Sequence, residues 1–283
     1  MPLKKMSRNE VIGDTPTHFF KSGGILRAKE SKKLVPLTSL FPKDRKVEYD
    51  VWYSMNDKDR VHGYCYTDAL NEMLYIRPAC HVRAYQTMID AAQSEITDEG
   101  EHIFSRVAAG NDKYKLKQAL KYPDFVVFMA GTNIWNKVSN KRRLHNAVDQ
   151  GAKLKCHPLT AAPMLAYLKT QFGEENIIEP RVSGHDLLEN AKIVGCFTNS
   201  EMGLAALAKG KTTYLLNDQR EQYTYSAIYN AVSPGGVMSV DRFKRVLSCK
   251  SSGIVPCAAP NPQEYVDGFF KRYEDIDDRL SSS

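Results

Sequence analysis

The sequence predicts an α/β protein whose second half folds as a doubly wound parallel sheet. Short apolar runs without polar alternation recur at 124–130, 152–156, 176–179, 193–197 and 212–216. Segments of helical length separate them, and three of these segments end at a glycine. A strand that is apolar on successive residues is covered on both faces, and strand–helix alternation supplies the cover. The crossovers are expected to be right-handed.

The elements follow in order. In the first half, 47–54 (VEYDVWYS) reads as a strand from its aromatic and β-branched residues, and 55–68 as a polar loop. Thr67 or Asp68 is placed to cap a helix over 69–75, with further helical stretches within 81–94 and 103–120. This smaller α/β unit is predicted to end near Tyr122-Pro123. Asp124 to Ala130, DFVVFMA, is the next strand, ended by Gly131-Thr132-Asn133. The basic segment 137–150 is helical, and Gly151 stops it. Ala152 to Cys156 is a strand, 162–172 a helix ending at Gly173, and NIIE (176–179) a strand stopped by Pro180. Ser183 caps a short helix to Ala191, with Asp186 three residues on, close to a capping box. A strand at 193–197, a helix at 201–209 closed by Gly210, a strand at 212–216 and a helix within 222–232 complete the pattern. Pro262 starts a helix over 261–280, in which Tyr265, Phe269 and Tyr273 form an i, i+4, i+8 stripe suited to core packing.

Composition narrows the function classes. A chain of 283 residues, 42% hydrophobic and 25% charged, is globular, with one large domain or two of ordinary size. No run has the apolar length of a transmembrane helix, and MPLKKMSRNE lacks the apolar core of a secretory signal. Six cysteines without a CxxC pair read as reduced thiols of a cytoplasmic protein, not a disulfide framework or zinc site. No metal is predicted, because HExxH and similar ligand spacings are absent. GxGxxG and GxxxxGK[ST] are also absent, which disfavours the usual dinucleotide and P-loop sites. The net charge is +6, and residues 1–50 hold eleven Lys/Arg against six Asp/Glu. Such a basic segment suits a phosphate-rich partner and equally fits a solvated surface.

Three strand ends carry residues suited to holding phosphates. Gly131 lets backbone approach a ligand and Thr132 offers a hydroxyl. His157-Pro158 offers an imidazole, and Thr198-Asn199-Ser200-Glu201 brings hydroxyl and amide groups to a helix N-terminus. In a doubly wound sheet these ends share one edge and can converge on one ligand. Each also has a plainer reading: Ser200 or Asn199 as an N-cap, Gly131-Thr132 as a turn, His157 as a satisfied structural histidine.

The segments KCHPLT, EP and SGHDLLENAKIVGCFTNSEMGLAALAKGKTTYLL resemble the C-terminal, nucleotide-sugar-binding domain of GT-B glycosyltransferases. The likeness covers residues 124–217 and is to the capsule, Kdo and sialyl/polysialyltransferase-like groups, which carry an HP motif and a later Ser/Thr motif. It implies a GT-B-like fold of two Rossmann-like domains: 1–122 for the acceptor, 123–260 for the donor, and a C-terminal helix, 261–283, crossing back to the first domain. It implies that His157 and Pro158 are the HP motif, and that Thr198, Asn199 and Ser200 are the Ser/Thr motif. Glu201 then opens the helix beneath the donor, and Glu179, Pro180 and Gly184 lie near base and ribose. The implied co-substrate is a nucleotide-sugar, UDP-linked in preference to CMP-linked, with no cofactor and no metal. The acidic motif that supplies the general base is not plain in this sequence. Asp68, with His62 behind it, is the nearest candidate, and Asp68 reads equally as a helix N-cap.

In size, architecture and charge the chain also resembles the phage glycosyltransferases that place a sugar on 5-hydroxymethylcytosine in DNA. That likeness implies a double-stranded DNA partner bound through the basic N-terminal region, in the host cytoplasm. Lys141-Arg142-Arg143 would add charge, and Tyr64, Tyr66 or Trp135 would stack on a base. Three alternatives stand beside it: a capsule or lipopolysaccharide transferase acting on a glycan, a nucleotide-sugar-binding protein, and an epimerase. The oligomeric state is not written in the sequence.

Overall fold

A computed structural model describes residues 18–21, 25–28, 40–42, 45, 47–49, 63–70, 73–78, 80–109, 116–131, 135, 140–158, 160–216, 225–234, 238–256 and 259–282. The elements are β1 (His18–Lys21), β2 (Ile25–Ala28), β3 (Val47–Tyr49), β4 (Gly63–Ala69), β5 (Met73–Pro78), α1 (His81–Ala91), α2 (Asp98–Ala109), β6 (Phe125–Phe128), α3 (Lys141–Asp149), β7 (Lys153–Lys155), α4 (Ala162–Phe172), β8 (Ile177–Ile178), α5 (Gly184–Asn190), β9 (Ile193–Cys196), α6 (Met202–Ala208), β10 (Thr212–Leu215), α7 (Ser226–Val232), α8 (Val240–Ser248), β11 (Ile254–Pro256) and α9 (Pro262–Ser281). The chain divides into two compact units. The described residues of Gly110–Glu221 belong to one, and those of Pro16–Ala109 and Gln222–Ser283 form the other.

The unit within 110–221 is an α/β fold around a five-stranded, wholly parallel sheet of order β10-β9-β6-β7-β8. The chain starts at central β6, winds outward through β7 and β8, then returns to β9 and β10 on the other side. The predicted doubly wound sheet is therefore present, with its order reversing between β6 and β9. The apolar runs of the inner strands are buried as expected, with Val126, Val127, Leu154 and Val194 fully covered, whereas the outer strands β8 and β10 are partly exposed, Tyr214 by 52%. Leu188, Ala191 and Ala206 close over Val126 and Val194 from α5 and α6 and the residue that follows α5. The glycine stops also stand, with φ of +89° at Gly151, +85° at Gly173 and +68° at Gly210. Ser183 Oγ accepts the Asp186 N–H at 3.0 Å, as the predicted cap requires. The Asp186 carboxylate accepts the Ala119 N–H at 2.6 Å, which ties α5 to the segment entering β6.

The other unit departs from the sequence expectation. Its four-stranded sheet, β11-β5-β4-β3, is mixed: β3 and β4 are parallel, and the other pairs antiparallel. A second Rossmann-like parallel sheet is not what the described strands form. Where a helix was expected over 69–75, Ala69 ends β4 and Met73 opens β5, its antiparallel partner, so Asp68 lies inside β4 and caps no helix. Ala69, Leu70, Glu72 and Met73 favour a helix individually, but Met73–Pro78 is buried along its whole length on the sheet, and that burial decides the outcome. Among the described residues of 103–120, those to Ala109 are helical, those from 116 on are not, and Lys117 pairs in parallel with Val182.

The sequence assigns 123–260 to one domain, whereas the contacts set 222–260 with the first part of the chain. There β11 pairs with β5. The α9 stripe is core, as predicted: Tyr265, Phe269 and Tyr273 pack with Leu74, Ile76 and Val255. Among the described residues no helix is long and apolar enough to cross a membrane.

Candidate functional site

In an open parallel sheet the crevice at the carboxyl ends of the strands, where the order reverses, is the ordinary ligand position. Here that edge is formed by 129–131 after β6, 156–158 after β7 and 197–201 after β9.

Lys155, the last residue of β7, is 3% exposed. Its ammonium donates to the Cys156 carbonyl and, at 3.2 Å, to the Pro180 carbonyl. A buried cation beside a ligand edge raises the local potential for an anion. Sequence reasoning missed it. The signal was a lysine inside the apolar run AKLKC, at the position before Cys156-His157.

His157 is partly buried. Burial, and then the charge of Lys155, push its pKa down to about 4, against a smaller pull from Glu201. The imidazole is therefore neutral at pH 7, offering one N–H and one lone pair and no charge. Both Lys155, at the end of β7, and Glu201, in the segment after β9, act on it electrostatically. The Thr160 N–H donates to the His157 carbonyl at 2.9 Å, closing the turn that leads into α4.

Thr198 and Asn199 are buried, at 1% and 7% exposure. Ser200 Oγ accepts the Met202 N–H at 3.2 Å, so its hydroxyl serves the start of α6. That helix has only seven residues and adds little dipole. Two covered polar atoms on this edge, Asn199 Oδ1 and Thr160 Oγ1, have no hydrogen-bond partner. Leaving such a group unmade costs about 1–3 kcal/mol, which marks it for explanation.

Gly131 is buried directly after β6, and Pro158 opens the turn after His157. At Gly184 a Cβ would stand 3.2 Å from Phe128 Cε1 and 3.3 Å from Met202 Cε, so glycine lets α5 close on the ends of β6 and α6. Gly131, His157, Thr198, Asn199, Ser200 and Glu201 thus all follow strands on the same edge, and Gly184 packs against Phe128 of β6 and Met202 of α6. Glu179 behaves otherwise: its exposed carboxylate pairs with Lys169 of α4 at 2.7 Å. Trp135 is buried, at 3% exposure, so its ring is not available to stack on a base. Thr132 and His62 lie outside the described residues. Asp68 lies in the other unit, where the β4–β5 register shifts between Tyr66 and Ala69. Among the described residues no cluster of three or more His, Cys, Asp or Glu is placed to hold a metal. Burial pushes the Cys156 thiol up to about 12, which makes it a poor nucleophile.

Among solved structures the chain is similar to Thermosulfurimonas dismutans KpsC, beta Kdo 2,7 transferase, at 14% identity and a TM-score of 0.44, over 85% of this chain and 90% of that one. It is also similar to Thermosulfurimonas dismutans KpsC, beta Kdo 2,4 transferase, at 12% identity and a TM-score of 0.41, over 77% of this chain and 96% of that one. No protein-family model matches the chain, and no curated protein does.

Proposed function

We propose that the protein is a GT-B-type glycosyltransferase that moves a sugar from a nucleotide-sugar, UDP-linked by preference, to a hydroxyl acceptor. The observation that carries this reading is the placement of buried Lys155, neutral His157 and buried Asn199 on one carboxyl edge of the parallel sheet, after β7 and β9, the strands that flank β6. A phosphate there gains the field of Lys155 and an N–H from His157. Asn199 Oδ1 can only accept a hydrogen bond, so it suits a hydroxyl or N–H of the donor better than a phosphate oxygen.

In the transfer, the bond from the anomeric carbon to the phosphate oxygen breaks and a bond from the acceptor oxygen to that carbon forms. The leaving nucleotide keeps the electron pair, and Lys155 and His157 meet its charge in place of a metal. The acceptor proton goes to a general base, and Asp68, with His62, is the base this reading assigns from the sequence. Donor binding is assigned to the unit within 110–221.

The acceptor in this proposal is 5-hydroxymethylcytosine in duplex DNA. Its support is the basic first fifty residues, and the site of action that follows is a phage host's cytoplasm. The test is a donor-by-acceptor screen read by mass spectrometry. UDP- and CMP-sugars are offered with hydroxymethylated DNA, unmodified DNA and an oligosaccharide mixture. A mass gain on hydroxymethylated DNA alone is the expected result. A gain on glycans alone overturns the acceptor, and no transfer or donor hydrolysis overturns the enzyme reading.

A further inference from the structure

We infer that Thr160 and Asn199 select the donor by its hydroxyl groups, each meeting a hydroxyl of a ring bonded to the donor's phosphate, whether ribose or the transferred sugar. This rests on the nucleotide-sugar reading above and names what the edge recognises beyond charge.

The fold itself leaves both side chains idle. Asn199 is 7% exposed, and its Oδ1 is covered with no hydrogen-bond partner among the described residues. Thr160 Oγ1 is likewise covered and without a partner there. Covered polar atoms are nearly always paired, so two on one edge of the sheet point to a partner from outside the chain. Local structure does not need either group. Ser200 Oγ already accepts the Met202 N–H at 3.2 Å at the start of α6, so Asn199 is not required as a cap. The turn after β7 is closed by backbone, from the Thr160 N–H to the His157 carbonyl at 2.9 Å, without the Thr160 hydroxyl.

The atom types narrow the ligand. Asn199 Oδ1 only accepts, whereas the Thr160 hydroxyl donates or accepts. An ionised phosphate oxygen can serve Thr160 and cannot serve Asn199. A ligand hydroxyl serves both. Placement adds a size. Thr160 follows β7 and Asn199 follows β9, the strands on either side of β6. Two strand spacings, about 10 Å, separate β7 from β9. A ligand that reaches both segments is therefore longer than one phosphate group, and a hydroxylated ring joined to a phosphate has that reach.

The test is calorimetry on the full chain with UDP-glucose, UDP, 2′,3′-dideoxy-UDP and inorganic pyrophosphate. Wild type is compared with Asn199→Leu, Thr160→Val and Thr160→Ser. The first two variants should each bind UDP-glucose about tenfold more weakly, the worth of one hydrogen bond. Thr160→Ser, which keeps the hydroxyl, should bind it like wild type, and pyrophosphate should bind all the proteins alike. A loss shared by UDP and absent for dideoxy-UDP gives the contact to ribose; a loss confined to UDP-glucose gives it to the transferred sugar. Either result supports the inference. An equal loss for pyrophosphate overturns it, because the side chains then hold phosphate. Lower melting temperatures of both ligand-free variants, Asn199→Leu and Thr160→Val, also overturn it, because the groups then serve the fold. Nucleotide binding that no variant changes overturns this inference alone, whereas no nucleotide binding by wild type overturns the transferase reading together with it.

Discussion

Replacing His157 by asparagine should remove most of one acid-sensitive step in the stability of this protein. Burial and Lys155 lower the folded-state pKa from 6.5 to about 4. Between these values the unfolded chain holds a proton that the folded chain does not, so unfolding is favoured as pH falls. The stabilising contribution is complete above pH 6.5 and is lost as the pH drops towards 4. The gap corresponds to about 3 kcal/mol, and the partial exposure of His157 screens some of it, leaving about 2–3 kcal/mol. The assay is urea unfolding of wild type and His157→Asn at half-unit steps from pH 7.5 to 4. The stability difference between the two should shift by that amount in favour of the variant as the pH falls. A difference that stays constant across the range would mean that His157 is solvated and ordinary, and the neutral N–H donor would be lost from the site.

Other outcomes follow from the same structure. Thr160→Val removes a hydroxyl that has no partner, so stability of the free protein should hold or rise slightly, while donor affinity falls about tenfold, the worth of one hydrogen bond; calorimetry and a melting curve read both. Gly253→Ala should destabilise by at least about 2 kcal/mol in chemical denaturation, because φ is +85° and the new Cβ would stand 2.1 Å from the Ile76 carbonyl oxygen. Cys156 should resist iodoacetamide at pH 8 in the native protein and react in urea, since burial raises its thiol to about 12; peptide mass mapping reads the site.

The parallel sheet was legible because its inner strands β6, β7 and β9 are largely buried apolar runs and Gly151, Gly173 and Gly210 stop the helices between the strands. The other unit was not. β11 has three residues, too few to show a period, and its partner β5 lies far upstream in the chain. Residues 69–75 combine helix-forming side chains with a strand burial that only the sheet reveals. Within the site, His157 and Asn199 stood at strand ends and could be placed by topology. Lys155 could not, because its burial depends on the Cys156 and Pro180 carbonyls that receive it. Glu179 was misleading in the opposite way: the Glu-Pro after a strand suggested a ligand contact, while the carboxylate turns to Lys169.

The decisive experiment is a calorimetric titration of UDP-sugars into wild type and His157→Ala, with circular dichroism to confirm that the variant is folded. Wild type should bind at least one of them, and His157→Ala should bind it at least about tenfold more weakly with an unchanged spectrum. Equal binding by both proteins would contradict the placement of the donor at this edge of the sheet.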